Sequence, residues 1–148
     1  MKIKEGLLNY LEFAMPAHSK NEAFARSTVS AFCAELDPTL EEIDDVKTAV
    51  SEAVTNAIVH GYGKNPEKVV YISVALYPQR VEIMVKDEGA GITDIPQAMQ
   101  PFYTTKPEEE RSGMGFTLME SFMNELDVES LAGGGTKVFM AKSIGEVC

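Results

Sequence analysis

The chain has 148 residues, of which 45% are hydrophobic and 24% are charged. These values are typical of a globular protein, and we expect one domain over residues 1–148 with residues 1–6 and 143–148 as loose termini. The net charge of −10 disfavours direct binding of DNA or RNA, because nucleic-acid phosphates would be repelled. It is compatible with a basic protein partner, although solubility alone also explains it.

The apolar runs and the cysteines narrow the setting. No apolar run approaches the ~18–20 residues of a membrane-spanning helix, and no signal peptide is recognisable. Cys33 falls in an apolar helical pattern and Cys148 is the last residue given. A structural disulfide between them is not expected, so we predict a reducing, cytoplasmic setting without membrane contact.

The first half of the chain predicts one strand and two helices. Residues 7–15 suit a strand. Ser19 and Glu22 have the spacing of a capping box, which predicts a helix to about residue 35. Thr39 and Glu42 repeat that spacing before a second helix, to about residue 60. The apolar stripes of the two helices are Ala25, Val29, Phe32 and Leu36, and then Ile43, Val46, Val50, Ala53 and Ala57.

The second half predicts four strands and one helix. Residues 69–77 and 80–86 form a hairpin around Pro78 and Gln79. Residues 87–113 lack periodicity, which indicates a functional or mobile loop. A helix begins near Gly115, and strands at 126–131 and 136–142 follow, joined by three glycines. The fold class is therefore α+β: a two-layer sandwich with a mixed, mainly antiparallel sheet covered by helices on one face.

Familiar nucleotide-binding signatures are missing. The sequence contains no G-x-x-x-x-G-K-[ST] loop, and no G-x-G-x-x-G opens a helix after a strand. The H-R-D and D-F-G elements of ordinary protein kinases are missing too. His18 and His60 form no recognisable metal cluster with the cysteines.

One polar pair stands on the second predicted helix. Glu52 and Asn56 are four residues apart, so they lie about 40° apart around the helix, away from its apolar stripe. A carboxylate beside an amide oxygen can hold Mg²⁺, or the carboxylate can accept a proton. For this pair taken alone, a solvated helix face is the better explanation.

Three glycine-rich segments also carry polar groups. In D-E-G-A-G, Asp87 can accept a hydrogen bond from an amino group, while Gly89 and Gly91 let a flat ring lie against the backbone. In R-S-G-M-G-F, the glycines at a helix start leave N–H groups for an anion, and Arg111 adds a positive charge. In G-G-G-T, Thr136 places a hydroxyl at the start of a strand.

The order of these four motifs resembles a known fold. The sequence E-x-x-x-N, D-x-G-x-G, R-S-G-x-G, G-x-T is similar to the Bergerat-type ATP-binding fold shared by DNA gyrase B, Hsp90, histidine kinases and MutL. The phrases SEAVTNAIVHGY, DEGAGI, PFYTTKPEEERSGMGF and GGGTKV resemble the anti-sigma factor kinases, most closely the anti-sigma-F factors of sporulation (the stage II sporulation protein AB family). The resemblance covers residues 7–142.

The resemblance implies an ATP–Mg²⁺ site with assigned residues. Glu52 would be the general base, Asn56 would bind Mg²⁺ and Asp87 would bind the adenine amino group. The remaining nucleotide-binding residues would be Gly89, Gly91 and Thr136 around adenine, and Thr104, Thr105, Lys106, Gly113 and Gly115 in a lid spanning residues 102–115. Arg26 and Glu22 would dock a sigma factor, and Arg111 an antagonist protein.

The implied function is an anti-sigma factor that is also a serine protein kinase. It would form a homodimer, inhibit sigma-F and phosphorylate a serine of an anti-anti-sigma protein. Three alternatives stay open: the same activity on a stress-response sigma factor, an isolated histidine kinase catalytic domain, and a binding module with ATP as a structural ligand. Glu52 disfavours the last, because a binding module needs no base there.

Overall fold

Five strands form one sheet in the computed structural model, which describes residues 4–92, 94–100, 115–131 and 133–145. The strands are β1 (Asn9–Pro16), β2 (Val69–Tyr77), β3 (Arg80–Asp87), β4 (Glu125–Leu131) and β5 (Gly135–Ser143), in the spatial order β1-β2-β3-β5-β4. Every neighbouring pair of these five strands is antiparallel, so the described sheet lacks the parallel pair that a mixed sheet would contain.

The helices form the second layer, as the sequence predicted. They are α1 (Asn21–Cys33), α2 (Leu40–Asn56), α3 (Ile95–Ala98) and α4 (Gly115–Phe122), and α1 and α4 both pack against α2. Alternate strand residues point into the core beneath them, for example Ile72 and Ile83, which are at most 1% exposed. The α+β two-layer prediction is confirmed. Among the described helices, none is both long and apolar enough to cross a membrane.

Only one of the two predicted capping boxes forms. The Thr39 hydroxyl accepts the Glu42 N–H at 3.1 Å, and the Glu42 carboxylate accepts the Thr39 N–H at 2.8 Å, so α2 begins as expected. The Ser19 capping box was wrong: α1 begins at Asn21, and its N-cap Lys20 makes no side-chain cap. The His18 ring nitrogen Nδ1 instead accepts the Lys20 N–H at 3.1 Å, which orders the turn before the helix.

Two helical segments differ from the sequence prediction. The last turn of the second helix, Ala57–Gly61, is a π-helix, a wider turn that occurs often at functional sites. The short helix α3 lies inside the region predicted to be loop. Its signal was present in the sequence: Asp94 caps it by accepting the Gln97 N–H at 3.0 Å, and Pro96 stands in its first turn.

Both ends of the described chain contact the sheet. The Lys4 ammonium lies 2.6 Å from the carboxylate of the buried Glu82. Ile144 is fully buried, and the Gly145 N–H donates to the Glu42 carboxylate at 3.0 Å. Lys4, Ile144 and Gly145, which the sequence prediction assigned to loose termini, therefore make defined contacts with the fold.

Cys33 lies in the core at the end of α1. Its side chain is fully buried and forms no disulfide with the described residues. Burial raises the pKa of this thiol to about 12, because the apolar core disfavours the thiolate. Cys148 is outside the described residues. Cys33 is thus a structural thiol at neutral pH.

Candidate functional site

A row of three polar side chains crosses the sheet beneath the helices. Asp87 ends β3 and is directly opposite Thr136 on β5, which is in turn opposite Ser130 on β4. Directly opposed residues share one face of a sheet, here the helix-covered face. Asp87 is 3% exposed and Thr136 is 5% exposed. The row therefore places a buried carboxylate and two hydroxyl groups side by side.

The Asp87 carboxylate is held by main-chain donors. Its Oδ1 accepts the Gly89 N–H at 2.9 Å. Burial raises the pKa of Asp87, and hydrogen bonds from the backbone N–H groups of Gly89 and Thr136 partly oppose that rise. A carboxylate offers about four acceptor positions, so this group can still accept from a donor outside the protein.

Three glycines surround Asp87 with bare backbone. A Cβ on Gly61 would lie 2.7 Å from the Asp87 carboxyl carbon, and one on Gly89 would lie 1.9 Å from the Gly61 carbonyl oxygen. A Cβ on Gly135 would lie 2.2 Å from the Asp87 carbonyl oxygen. We call Gly61, Gly89 and Gly135 the glycine cradle. Gly61 and Gly135 were not among the predicted site residues. Both glycines stand in glycine-rich segments of the sequence, H-G-Y-G for Gly61 and G-G-G-T for Gly135.

Further hydrogen bonds fix the loop that follows Asp87. The Ala90 N–H donates to the Gly61 carbonyl at 2.9 Å. The Tyr62 hydroxyl accepts the Glu88 N–H at 2.6 Å and donates to the Val69 carbonyl at 2.7 Å. The π-turn is thereby tied to the loop at two points. Sequence reasoning missed Tyr62, because a local motif cannot predict its hydrogen bond with Glu88, which is 26 residues away.

The predicted Glu52 and Asn56 lie on the helix that leads into the cradle. Both side chains are partly buried on α2. The helix continues through the π-turn to Gly61, five residues after Asn56, a distance of roughly 7 Å along the axis. The described residues hold no group of three or more His, Cys, Asp or Glu side chains that could bind a metal.

The structure locates only some of the other predicted site residues. Gly91 has a positive φ of 76°, which glycine adopts readily. Gly115 is the first residue of α4. The remaining lid predictions lie outside the described residues: Thr104, Thr105, Lys106, Arg111 and Gly113.

The predicted partner-binding residues lie on α1. Arg26 Nε and Glu22 Oε1 are 3.7 Å apart, in the expected i, i+4 ion pair, and their side chains are 41% and 20% exposed. Phe24, between them in sequence, is 61% exposed. Positions two apart on a helix face in different directions, so the Phe24 ring and the ion pair lie on different sides of α1.

Comparison with known proteins decides the family. Residues 15–142 match the family described as Histidine kinase-like ATPase domain. The chain is 54% identical over 138 residues to the anti-sigma F factor of Geobacillus thermodenitrificans, covering 93% of this chain and 94% of the relative. It is 51% identical to the anti-sigma F factor of Clostridium novyi, with 94% and 97% coverage. The chain belongs to the anti-sigma F factor family.

A solved structure supports the fold of this anti-sigma F factor family member. The RsbU and RsbW domains of Rv1364c from Mycobacterium tuberculosis superpose with a TM-score of 0.65 at 20% identity. The match covers 92% of this chain and 32% of that longer chain. The resemblance to kinase-type ATPases inferred from the four motifs is confirmed at the level of family and fold.

Proposed function

We propose that this protein is an Mg-ATP-dependent serine kinase that binds and inhibits sigma-F and phosphorylates a serine of its anti-anti-sigma antagonist. The observation that carries the nucleotide site is the buried Asp87 carboxylate inside the glycine cradle. The names of the relatives, anti-sigma F factors, support the sigma partner. The homodimer and the antagonist rest on the sequence resemblance.

The adenine ring fits the cradle chemically. The Asp87 carboxylate would accept from the adenine amino group, and Thr136 would contribute a second polar contact. The cradle glycines support this site indirectly: protein atoms occupy the space that a Cβ would need, so the three glycines let the backbone close tightly around Asp87. The phosphates would extend towards Asn56, whose amide oxygen is a suitable Mg²⁺ ligand. Bound Mg²⁺ would neutralise the charge that develops on the phosphates.

Glu52 would act on the protein substrate. Its carboxylate takes the proton of the substrate serine as the serine oxygen bonds to the γ-phosphorus. The bond from that phosphorus to the β–γ bridging oxygen breaks, and ADP leaves. The step needs a base in reach of the serine and little other covalent chemistry.

The first test separates the base from the binding site. Glu52→Ala should lower phosphorylation of the anti-anti-sigma protein by about 10²–10⁴-fold, while ATP still binds, because a general base is worth that factor. The assay uses labelled ATP, the anti-anti-sigma protein and phosphosite mapping. Loss of ATP affinity together with activity would contradict the assignment.

Acid treatment of the product distinguishes the histidine kinase alternative. Phosphoserine survives acid, whereas phosphohistidine does not. A product that loses its label in acid would overturn the serine kinase proposal.

The second test concerns the surface on α1. Arg26→Ala should weaken sigma binding, measured by pull-down, while kinase activity stays near that of the native protein. Lys20→Ala is a matched control, since Lys20 is an exposed basic residue just before the same helix. Pull-downs with sigma-F and with a stress-response sigma factor decide between the two partners. Equal loss in both variants would argue against a specific role for Arg26.

A further inference from the structure

The Ser130 hydroxyl makes three polar contacts at one end of the Asp87 row. The Ile92 N–H donates to Ser130 Oγ at 2.6 Å, and Ser130 Oγ donates to the Gly135 carbonyl at 2.9 Å. Ser130 Oγ also lies 2.8 Å from Thr136 Oγ1. None of the four sequence motifs contains Ser130.

These contacts determine the direction of the hydroxyl–hydroxyl bond. A serine hydroxyl has one hydrogen and two acceptor positions. The Ile92 N–H can only donate and the Gly135 carbonyl can only accept, so the single Ser130 hydrogen goes to Gly135. The contact with Thr136 must then use the Thr136 hydrogen. Because that hydrogen is used in the bond to Ser130, Thr136 Oγ1 cannot donate to a ligand and can only accept a hydrogen bond from one.

We propose that Ser130 is a specificity-determining positioning residue of the nucleotide site. By turning Thr136 into an acceptor, it completes a row of acceptors with the Asp87 carboxylate. Such a row favours a purine with an amino group at position 6 and disfavours a 6-oxo purine, whose carbonyl would face lone pairs. This inference rests on the proposed function, which places adenine against Asp87 and Thr136.

The test compares ATP with inosine triphosphate, which has a 6-oxo group in place of the 6-amino group and carries a hydrogen on N1. Dissociation constants for both are measured by calorimetry on the full chain. We expect the native protein to prefer ATP. Ser130→Ala should narrow that preference roughly tenfold, since the freed Thr136 hydrogen can then donate to the 6-oxo group and one neutral hydrogen bond is worth about that factor.

Matched variants isolate the effect. Ser130→Thr keeps the hydroxyl group, so the ratio of the two dissociation constants should stay as in the native protein. In a Thr136→Val background, Ser130→Ala should leave the ratio unchanged, since there is no threonine hydroxyl to redirect. Ser130→Cys, a poor acceptor of similar size, should shift the ratio as alanine does and serves if the alanine variant does not fold.

The outcomes separate this inference from the proposed function. A native protein that binds neither nucleotide would overturn both. Native preference for ATP with an unchanged ratio in folded Ser130→Ala and Ser130→Cys would overturn the inference alone. An equal loss of affinity for both nucleotides in Ser130→Ala would also overturn it, because Ser130 would then stabilise the site without affecting the choice between the two purines.

Discussion

Asp87 combines deep burial with a negative charge. Only 3% of the residue is exposed, and its carboxylate accepts hydrogen bonds from the main-chain N–H groups of Gly89 and Thr136. A buried carboxylate with spare acceptor positions is costly unless something else uses it. The residue thus has a physical cost that nucleotide binding would offset.

The pH dependence of nucleotide binding tests that role. The proposed contact needs ionised Asp87, and burial raises the pKa of this carboxyl above the ordinary aspartate value. As the pH is lowered, ATP affinity should therefore begin to fall at a higher pH than it would if Asp87 had the ordinary aspartate pKa of about 3.9. Calorimetry across the acidic range measures it. Asp87→Asn, which does not titrate, should remove that component, and identical profiles would contradict the assignment.

The same shift has a defined sign for folding. Because the folded pKa lies above the unfolded one, the native state binds the proton more tightly. The contribution of Asp87 to the free energy of unfolding is greatest below the ordinary aspartate pKa. It decreases as the pH rises from that value through the raised pKa, and stays low above it. The ligand-free Asp87→Asn variant should lack this decrease in urea titrations.

Sequence motifs identified some residues of the row and missed others. Asp87 and Thr136 stood beside glycines in recognisable order, so the family resemblance could assign them. Ser130 acts through Ile92, which is 38 residues away, and through its partner across the β4–β5 ladder. Such contacts depend on strand register, which local patterns do not reveal.

At the scale of elements, the β4–β5 turn approaches β3 closely. Gly135 has a φ of +83° and stands against the Asp87 backbone, whereas Gly133 has a φ of +73° and a Cβ there would meet no atom of the described residues within 4 Å. Both glycines therefore have a left-handed backbone that would strain another residue, but only Gly135 has protein atoms in the space that a Cβ would occupy. The close approach lets β5 begin directly beside the end of β3.

This difference predicts unequal costs of the same substitution. Gly133→Ala should lower the free energy of unfolding by about 1–2 kcal/mol, the cost of a left-handed non-glycine residue. Gly135→Ala should cost more and should also weaken ATP binding, because the added methyl group displaces the Asp87 backbone. Urea unfolding and calorimetry measure the two effects. Equal destabilisation would show that the turn relaxes without moving Asp87.

Element prediction succeeded where side-chain periodicity was strong. The bounds of β2 agree with the sequence prediction, and the Thr39 capping box begins α2. The π-turn could not be predicted, because its extra residue per turn leaves the apolar pattern nearly helical. The Ser19 box does not form because the N-cap of α1 is Lys20, one residue later, and the Lys20 N–H donates to the His18 ring.

At the scale of the whole molecule, topology assembles the site. The end of β3, the start of β5 and the end of β4 meet only because the order is β1-β2-β3-β5-β4. Periodicity predicts that strands exist but not which strands are neighbours, so the sandwich could be anticipated while the Asp87 row could not. The family resemblance supplied the missing spatial information for Asp87 and Thr136 alone.

Because the Cys33 thiol is fully buried, its chemical modification reports when the structure opens. A thiol-directed reagent can reach it only when the helical layer separates from the sheet. In a Cys148→Ser variant, Cys33 is the single cysteine. If that separation is global unfolding, Mg-ATP at 100 times its Kd should slow modification about 100-fold, equivalent to about 2.7 kcal/mol. A fast rate of Cys33 modification that is the same with and without Mg-ATP would mean that the helices open independently of the ATP site.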